Sequence, residues 1–309
     1  MALSREGRAA RTGRGGRGRG GGGGGGKSRE VALSHALSKL LRHQAASAGI
    51  QLDSEGFAPL NKVLKWGPVS SLKPTFAEIA AAVRDSDKQR FALKPDPATN
   101  PALDEATMDP AHWLIRANQG HSIKLDSEKL LRPIALPLTP GPDAAAPPSA
   151  NEASPETELP PGSVPVPETV VHGTYFAFWP AIVASGGLRP MGRNHVHCST
   201  GLPPEDEADG PAVVSGMRRD AEMLVYVDVA ASMREAGIKW WVSDNGVVLT
   251  EGDTDGLVPA RFFREVRGRA QGVGLLWKDG QHVADLPDWV KAQPPRGKVS
   301  LARRMRNLQ

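Results

Sequence analysis

Leucines at positions 33, 37, 40 and 41 recur at the interval of a helix with one buried face, which predicts a helix over residues 30–44. On that wheel Lys39 and Arg42 fall opposite the leucine stripe, and His43 lies towards its edge. Leu60, Val63 and Leu64 predict a second, short helix. Thr75-Phe76-Ala77-Glu78 has the spacing of a capping box and opens a third, with Phe76, Ile79, Ala80 and Val83 turned inward. Beyond it Asp87-Lys88-Gln89-Arg90-Phe91 leads into an extended segment that pairs with residues 112–117. Three helices followed by a small β-ribbon look like a winged-helix module, a fold often used on nucleic acid. Fold alone does not establish that use.

From residue 169 the pattern shortens. Thr169-Val170-Val171-His172 reads as a strand broken by Gly173-Thr174, and residues 179–185 as a short helix with Ile182 inward, closed by Gly186-Gly187. His195-Val196-His197 is extended, and residues 223–229 form a stronger strand. Trp240-Trp241-Val242 and Val247-Val248-Leu249 flank Asp244-Asn245-Gly246, and Asn-Gly between β-prone runs is a strong hairpin signal. Short strands with little helix predict an α+β fold with split antiparallel sheets.

The length of 309 residues allows two ordinary domains. The hydrophobic fraction, 39%, is low because of two stretches. One is the arginine- and glycine-rich start, a tail over 1–28; the other is residues 133–167, crowded with Pro, Ala, Ser and Glu. Neither buries enough apolar surface to offset its ordering entropy, so both are expected to be disordered or extended. That leaves compact segments over 29–132 and 168–270, with a basic extension over 271–309. The net charge of +4 leans weakly towards an acidic partner, much of the excess lying in the tail and at Arg303, Arg304 and Arg306. A single cysteine, Cys198, excludes an intrachain disulfide and fits a reducing compartment. No apolar run reaches the length of a membrane span, and no secretory signal opens the chain, so the nucleus or cytoplasm is expected. An organelle transit peptide shares the Arg-rich, acid-poor start, although the glycine run suits an RNA-associating tail better.

Arg116-Ala117-Asn118-Gln119-Gly120-His121-Ser122 ends a β-prone run and offers many donors with almost no negative charge. A loop that closely approaches phosphate or ribose has this composition, and so does an ordinary surface turn. Arg42-His43 closes the first helix, where a solvated basic face is the plain reading. In His172-Gly173-Thr174 the glycine permits a sharp turn, and the flanking side chains can reach a ribose or amide. Ser215-Gly216-Met217-Arg218-Arg219 enters the strong strand, and at most one of its arginines is a good ligand candidate. Arg193-Asn194-His195-Val196-His197-Cys198 places two histidines on one face as zinc ligands can be, but a third ligand is missing at suitable spacing. A polar nucleotide-contacting strand and plain β-structure are the other readings there. There is no Walker lysine loop, no GxGxxG after a strand and no nucleophile elbow, which argues against NTPase, Rossmann and common hydrolase chemistry.

In order along the chain these clusters resemble the RNA 2′-phosphotransferase family, the tRNA 2′-phosphotransferases of tRNA splicing. The matching pieces are Leu40-Leu41-Arg42-His43, Asp87-Lys88-Gln89-Arg90-Phe91, Ile115 through the loop to Ser122, and His172-Gly173-Thr174. They continue with Gly187-Leu188 before Met191, Arg193-Asn194-His195-Val196-His197, Ser215-Gly216-Met217-Arg218 and Asn245-Gly246-Val247-Val248-Leu249-Thr250. The resemblance implies an N-terminal winged-helix RNA lobe and a C-terminal NAD lobe of ADP-ribosyltransferase type. It implies removal of an internal 2′-phosphate with NAD as acceptor, through RNA carrying ADP-ribose on that phosphate. Nicotinamide and ADP-ribose 1″,2″-cyclic phosphate are then released, without a metal. The family's catalytic set falls on Arg42, His43, Arg116 and Arg218. Its NAD contacts fall on Gly120, His121, Ser122, His172, Gly173, Thr174, Gly187, Leu188, Arg193, His195 and His197, and Lys39, Lys88 and Arg90 are expected on the RNA. A monomer is expected. Departures are the long stretch between the halves, both tails, and Cys198-Ser199. An ADP-ribosyltransferase that caps nucleic-acid 5′-phosphates or modifies protein, and a non-catalytic RNA-binding protein, are the alternatives.

Overall fold

The structure, a computed structural model, describes residues 24–138, 158–202, 215–218, 220–269 and 272–291. Most of the arginine- and glycine-rich tail, the middle of the proline-rich stretch, Arg219 and the last basic residues lie outside the described residues. Helix α1 (Gly24–Lys39) begins earlier than its leucines predict, in the glycine run, and passes into a wider π-helical turn over Leu40–Gln44. Then come β1 (Ala58–Pro59), α2 (Leu60–Lys65), α3 (Gly67–Ser70), α4 (Phe76–Arg84), β2 (Phe91–Pro95) and β3 (Trp113–Ala117). The expected capping box is formed: the Thr75 hydroxyl accepts from the Glu78 amide at 3.2 Å, and the Glu78 carboxylate accepts from the Thr75 amide at 2.8 Å. Ile79 and Ala82 are the buried residues of α4, in place of the Ala80 expected, because the helix packs against both α1 and β2. β3 is central in an antiparallel sheet with β1 and β2 at its sides; it starts one residue later than predicted because His112 closes a 3-10 turn capped by Asp109. The leucines of α1 and its π turn, with Leu60, Val63, Ile79, Phe91 and Ile115, make one core.

α5 (Ser127–Leu130) and β4 (Arg132–Ala135) carry the chain into the second half. β5 (Val164–Pro165), β6 (Val171–Thr174), α6 (Trp179–Ala184), β7 (Gly187–Leu188), β8 (Val196–Cys198) and β9 (Met223–Val227) follow. Next are α7 (Val229–Ala236), β10 (Trp241–Val242), β11 (Val248–Thr250), β12 (Val258–Pro259) and β13 (Phe263–Gly268). β14 (Leu275–Lys278), β15 (Gln281–His282) and α8 (Asp288–Lys291) close the described chain. Two five-stranded sheets, ordered β5-β4-β10-β11-β8 and β15-β14-β13-β9-β6, flank a core built on Val196, Cys198 and Val248 from one and Val225, Phe263 and Val266 from the other. Their pairs are antiparallel except β4 with β5, and β12 pairs with β7 as a separate ribbon. The fold is mixed α+β with several sheets.

Three local expectations are corrected. β6 runs through Gly173 and Thr174, and a Cβ on Gly173 would meet the Met217 side chain at 2.3 Å, so this glycine makes room and does not turn the chain. The strand expected over residues 223–229 stops at Val227, since the Asp228 carboxylate accepts from the Ala231 amide at 2.8 Å and starts α7 there. Residues 272–291 are folded, with Val273, Leu276, Leu286 and Val290 in the core. The predicted hairpin is present as β10 and β11, with Gly246 at φ +74°. Among the described residues no helix is long and apolar enough to cross a membrane.

Polar links join the halves where their loops meet. Asn194 donates from its amide to the His121 carbonyl at 2.9 Å and from its side chain to the Ile123 carbonyl at 2.7 Å. Asn245 donates to the Lys88 carbonyl at 2.8 Å.

Candidate active site

The end of the first helix is covered by the loop after β3. The Arg42 carbonyl accepts from the Ser122 amide at 3.0 Å, and His43 Nδ1 lies 2.9 Å from Ser122 Oγ. Gly120 adopts φ +88°, and a Cβ there would stand 3.5 Å from Cδ, Nε and Cζ of Arg42. The helix face that the wheel left to water is therefore roofed by a loop, and Arg42 is not a solvated arginine. Its Nε and Nη2 are buried without partners. Burial first, then Arg193 and Arg90, push its pKa down to about 10. His43 is likewise held below its ordinary value by burial, then by Arg193 and Arg42, and is neutral at pH 7.

The same loop leaves Asn118 Oδ1 and Gln119 Oε1 buried without partners. His121 is buried, its Nε2 has no partner, and burial followed by Arg42, His195, His43 and Arg116 lowers its pKa to about 3.

Across from this loop, the hydrogen-bond network assigns the tautomers of three histidines. His197 Nδ1 is 2.9 Å from the His195 carbonyl, and His172 Nδ1 is 2.9 Å from the His197 carbonyl. A carbonyl only accepts, so each Nδ1 carries the hydrogen and each Nε2 presents a lone pair; that of His197 is buried without a partner. Ser127 gives its hydroxyl hydrogen to Glu251 at 2.6 Å, so its oxygen accepts from His195 Nε2 at 2.8 Å, which leaves His195 Nδ1 as an acceptor. Burial is the leading cause that depresses all three pKa values, so the rings are neutral. Arg193, beside them, is lowered by burial and then by Arg218.

A model of the RNA 2′-phosphotransferase, Tpt1/KptA family matches residues 28–252 of the chain. The chain belongs to this family. It is 36% identical over 244 residues to "tRNA 2′-phosphotransferase 1" of Bos taurus, covering 77% of this chain and 76% of that protein. To "tRNA 2′-phosphotransferase" of Saccharomyces cerevisiae it is 31% identical over 240 residues, 77% of this chain and 84% of the yeast protein. To "Probable RNA 2′-phosphotransferase" of Streptomyces griseus the identity is 31% over 236 residues, 76% and 96% of the two chains. The chain is thus an enzyme of the RNA 2′-phosphotransferase type, and its clustered side chains from Arg42 to Arg218 fall inside the matched span.

Within this 2′-phosphotransferase chain the expected residues are placed unequally. Arg42, His43, Gly120, His121, Ser122, Arg193, His195 and His197 converge as described, and Arg90 is close enough to depress Arg42. Arg218 reaches the cluster through Arg193; it donates to the Tyr175 hydroxyl at 3.1 Å, which donates to Asp220 at 2.9 Å. Its neighbour Met217 seats over Gly173, and Gly216, at φ +90°, sits where a Cβ would come within 2.5 Å of the Cys198 carbonyl. Arg116 is already engaged: Nη1 donates to the Glu55 carbonyl at 3.0 Å and Nη2 to Asp244 at 2.5 Å. Gly187, Leu188 and Thr174 have structural duties that need no ligand. A Cβ on Gly187 would lie 2.1 Å from the Val258 carbonyl, Leu188 is in the core, and the Thr174 carbonyl accepts from Glu222. Lys39 is exposed at the end of α1, and Lys88 is half-buried with its carbonyl held by Asn245. Sequence reasoning missed Asp244, Tyr175, Ser127 and Glu251 as members of the neighbourhood. Asp244 was visible only as a turn residue, and the other three have no local pattern that marks them.

Proposed function

We propose that the chain is an NAD-dependent tRNA 2′-phosphotransferase that takes the splice-junction 2′-phosphate off ligated tRNA. On this reading the winged-helix RNA lobe lies within residues 29–132, and the ADP-ribosyltransferase-like NAD lobe expected over 168–270 also takes in β4 and residues 272–291. The enzyme acts as a monomer in the nucleus or cytoplasm. The observation that carries it is the crowding of Arg42, Arg90 and Arg193, with Arg218 behind, while Nε and Nη2 of Arg42 are buried and unpaired. Like charges drawn together, with two donors of one of them buried and unpaired, call for an anion, and planar guanidinium groups grip phosphate bidentately. Beside them the acceptor nitrogens of His172, His195 and His197 suit a ligand rich in hydroxyl or amide donors, as the ribose and carboxamide groups of NAD are.

Bound NAD would supply the ribose carbon that receives the 2′-phosphate, with nicotinamide and ADP-ribose 1″,2″-cyclic phosphate as products. The arginines hold the phosphoryl oxygens in line and stabilise the charge that builds on them. His43, neutral and with Nδ1 2.9 Å from Ser122 Oγ, is the proton carrier. The reading calls on no metal. The test is to incubate the protein with NAD and an RNA that carries one internal 2′-phosphate. Phosphate should leave the RNA with one nicotinamide released for each. If a 5′-phosphorylated RNA instead keeps its phosphate and gains ADP-ribose, the chain is a capping ADP-ribosyltransferase. If no RNA elicits nicotinamide release, it is a binding protein.

A further inference from the structure

Of the three arginines in the expected catalytic set, Arg42, Arg116 and Arg218, Arg116 is the one whose guanidinium the described residues pair with a carboxylate. One arm donates to the Glu55 carbonyl at 3.0 Å, the Phe57 ring lies 4.8 Å from Cζ, and Nε is buried without a partner. The remaining arm holds Asp244 at 2.5 Å, from the hairpin turn of the other half. The Arg116 side chain is 11% exposed and that of Asp244 48%, so the acid is the partner that faces water. The turn itself is fixed: Asn245, the next residue, donates to the Lys88 carbonyl at 2.8 Å and accepts from Ser243 Oγ at 2.7 Å. Asp244 can therefore release the arginine by rotating a short side chain, with no rearrangement of backbone.

A nearly buried guanidinium left without a counterion is unfavourable, so the carboxylate keeps Arg116 in place while the site is empty. A phosphate and this carboxylate repel each other and cannot share the same arm. We propose that Asp244 is a specificity-determining placeholder, which yields Arg116 to the dianionic 2′-phosphomonoester but not to the monoanionic diesters of the RNA backbone. A dianion outcompetes a carboxylate for a bidentate arginine; a diester with one charge spread over two oxygens does so poorly. This inference rests on the proposed 2′-phosphotransferase reading.

Binding without NAD tests it, by fluorescence anisotropy of a short RNA with one internal 2′-phosphate and of the same RNA with a 2′-hydroxyl. Asp244→Asn keeps shape and removes charge. It should tighten the hydroxyl RNA, whose diesters can then reach Arg116, on the order of tenfold and the phosphorylated RNA by much less, so that the preference for the 2′-phosphate narrows. Asp244→Glu, which restores the charge, should bind as wild type does. Equal tightening of both RNAs would mean a general field effect, and unchanged or weaker binding of the hydroxyl RNA would make Asp244 a plain scaffold for Arg116; either result overturns the proposal. If Asp244→Asn fails to fold, Asp244→Ser is measured against the same expectation. Wild-type turnover with NAD separates the two levels. If wild type leaves the 2′-phosphate on the RNA, the functional reading fails and this inference with it. If wild type removes it and Asp244→Asn does not narrow the preference, only the placeholder is wrong.

Discussion

His121 stands at the junction of both halves, its carbonyl held by Asn194 and its ring shut in beside Arg42, Arg116 and His195. The unfolded chain takes up a proton there near the ordinary value of 6.5, the folded chain only near about 3, so acid draws the equilibrium towards unfolding. The contribution is complete above about pH 6.5 and is lost as pH falls towards about 3. His172, His195 and His197 are depressed by burial too and act in the same direction. Melting temperature measured from about pH 7 down to about pH 4 should therefore fall steeply in wild type, and less steeply in His121→Gln. Equal slopes would mean that the ring is not neutral in the folded protein. At this scale the sequence marked residues that the fold brings together, for Arg42, His43, Arg193, His195 and His197 stand in short motifs. It hid Asp244, because a turn aspartate looks the same whether it faces water or an arginine from the other half.

Elements were legible where the signal is local. The Thr75 and Glu78 cap and the Asn245-Gly246 hairpin depend on residues a few positions apart, and both formed. What failed depended on partners far along the chain. Gly173 reads as a turn from its neighbours, yet it is needed because Met217 occupies the space where a side chain would be. The strand expectation runs two residues too far, to Val229, because Met223 to Val227 is so β-prone, and α7 goes unforeseen although Asp228 and Gly237 bracket a helix in the sequence. The Gly173 contact has a measurable consequence for Arg218, the next residue after Met217. Gly173→Ala places a carbon 2.3 Å from Met217 Cγ and 3.0 Å from the Ala221 Cβ, within a cluster that also holds Val171 and Leu224. Stability should fall by about 1–3 kcal/mol. Turnover of 2′-phosphorylated RNA should fall on the order of tenfold, less than loss of one oriented donor costs. Adding Met217→Ala should restore part of both, and an unchanged kcat in Gly173→Ala would separate the notch from the arginine.

On the scale of the whole molecule, the composition pointed to two halves but drew their limits by local polarity, which cannot register a strand that pairs far from its neighbours. Truncation after residue 270 removes Val273, Leu276, Leu286 and Val290 from the second core, each large-to-nothing loss costing about 1–5 kcal/mol, and should leave a chain that does not melt cooperatively. Truncation after residue 291 should melt as the full chain does, with circular dichroism as the readout for both. The proline-rich stretch differs from its expected role for the same reason. β4 and β5 pair in parallel at Ile134 and Val164, and the Leu138 amide donates to the Glu158 carbonyl at 3.0 Å. Leu138 and Glu158, the described residues on either side of 139–157, thus meet on one sheet edge, and the halves are joined instead through residues 123–131. The stretch is a detour and not a bridge. Its length has no say in how far apart the ligand-facing loops stand, and a cut within it would leave the two halves still attached to each other.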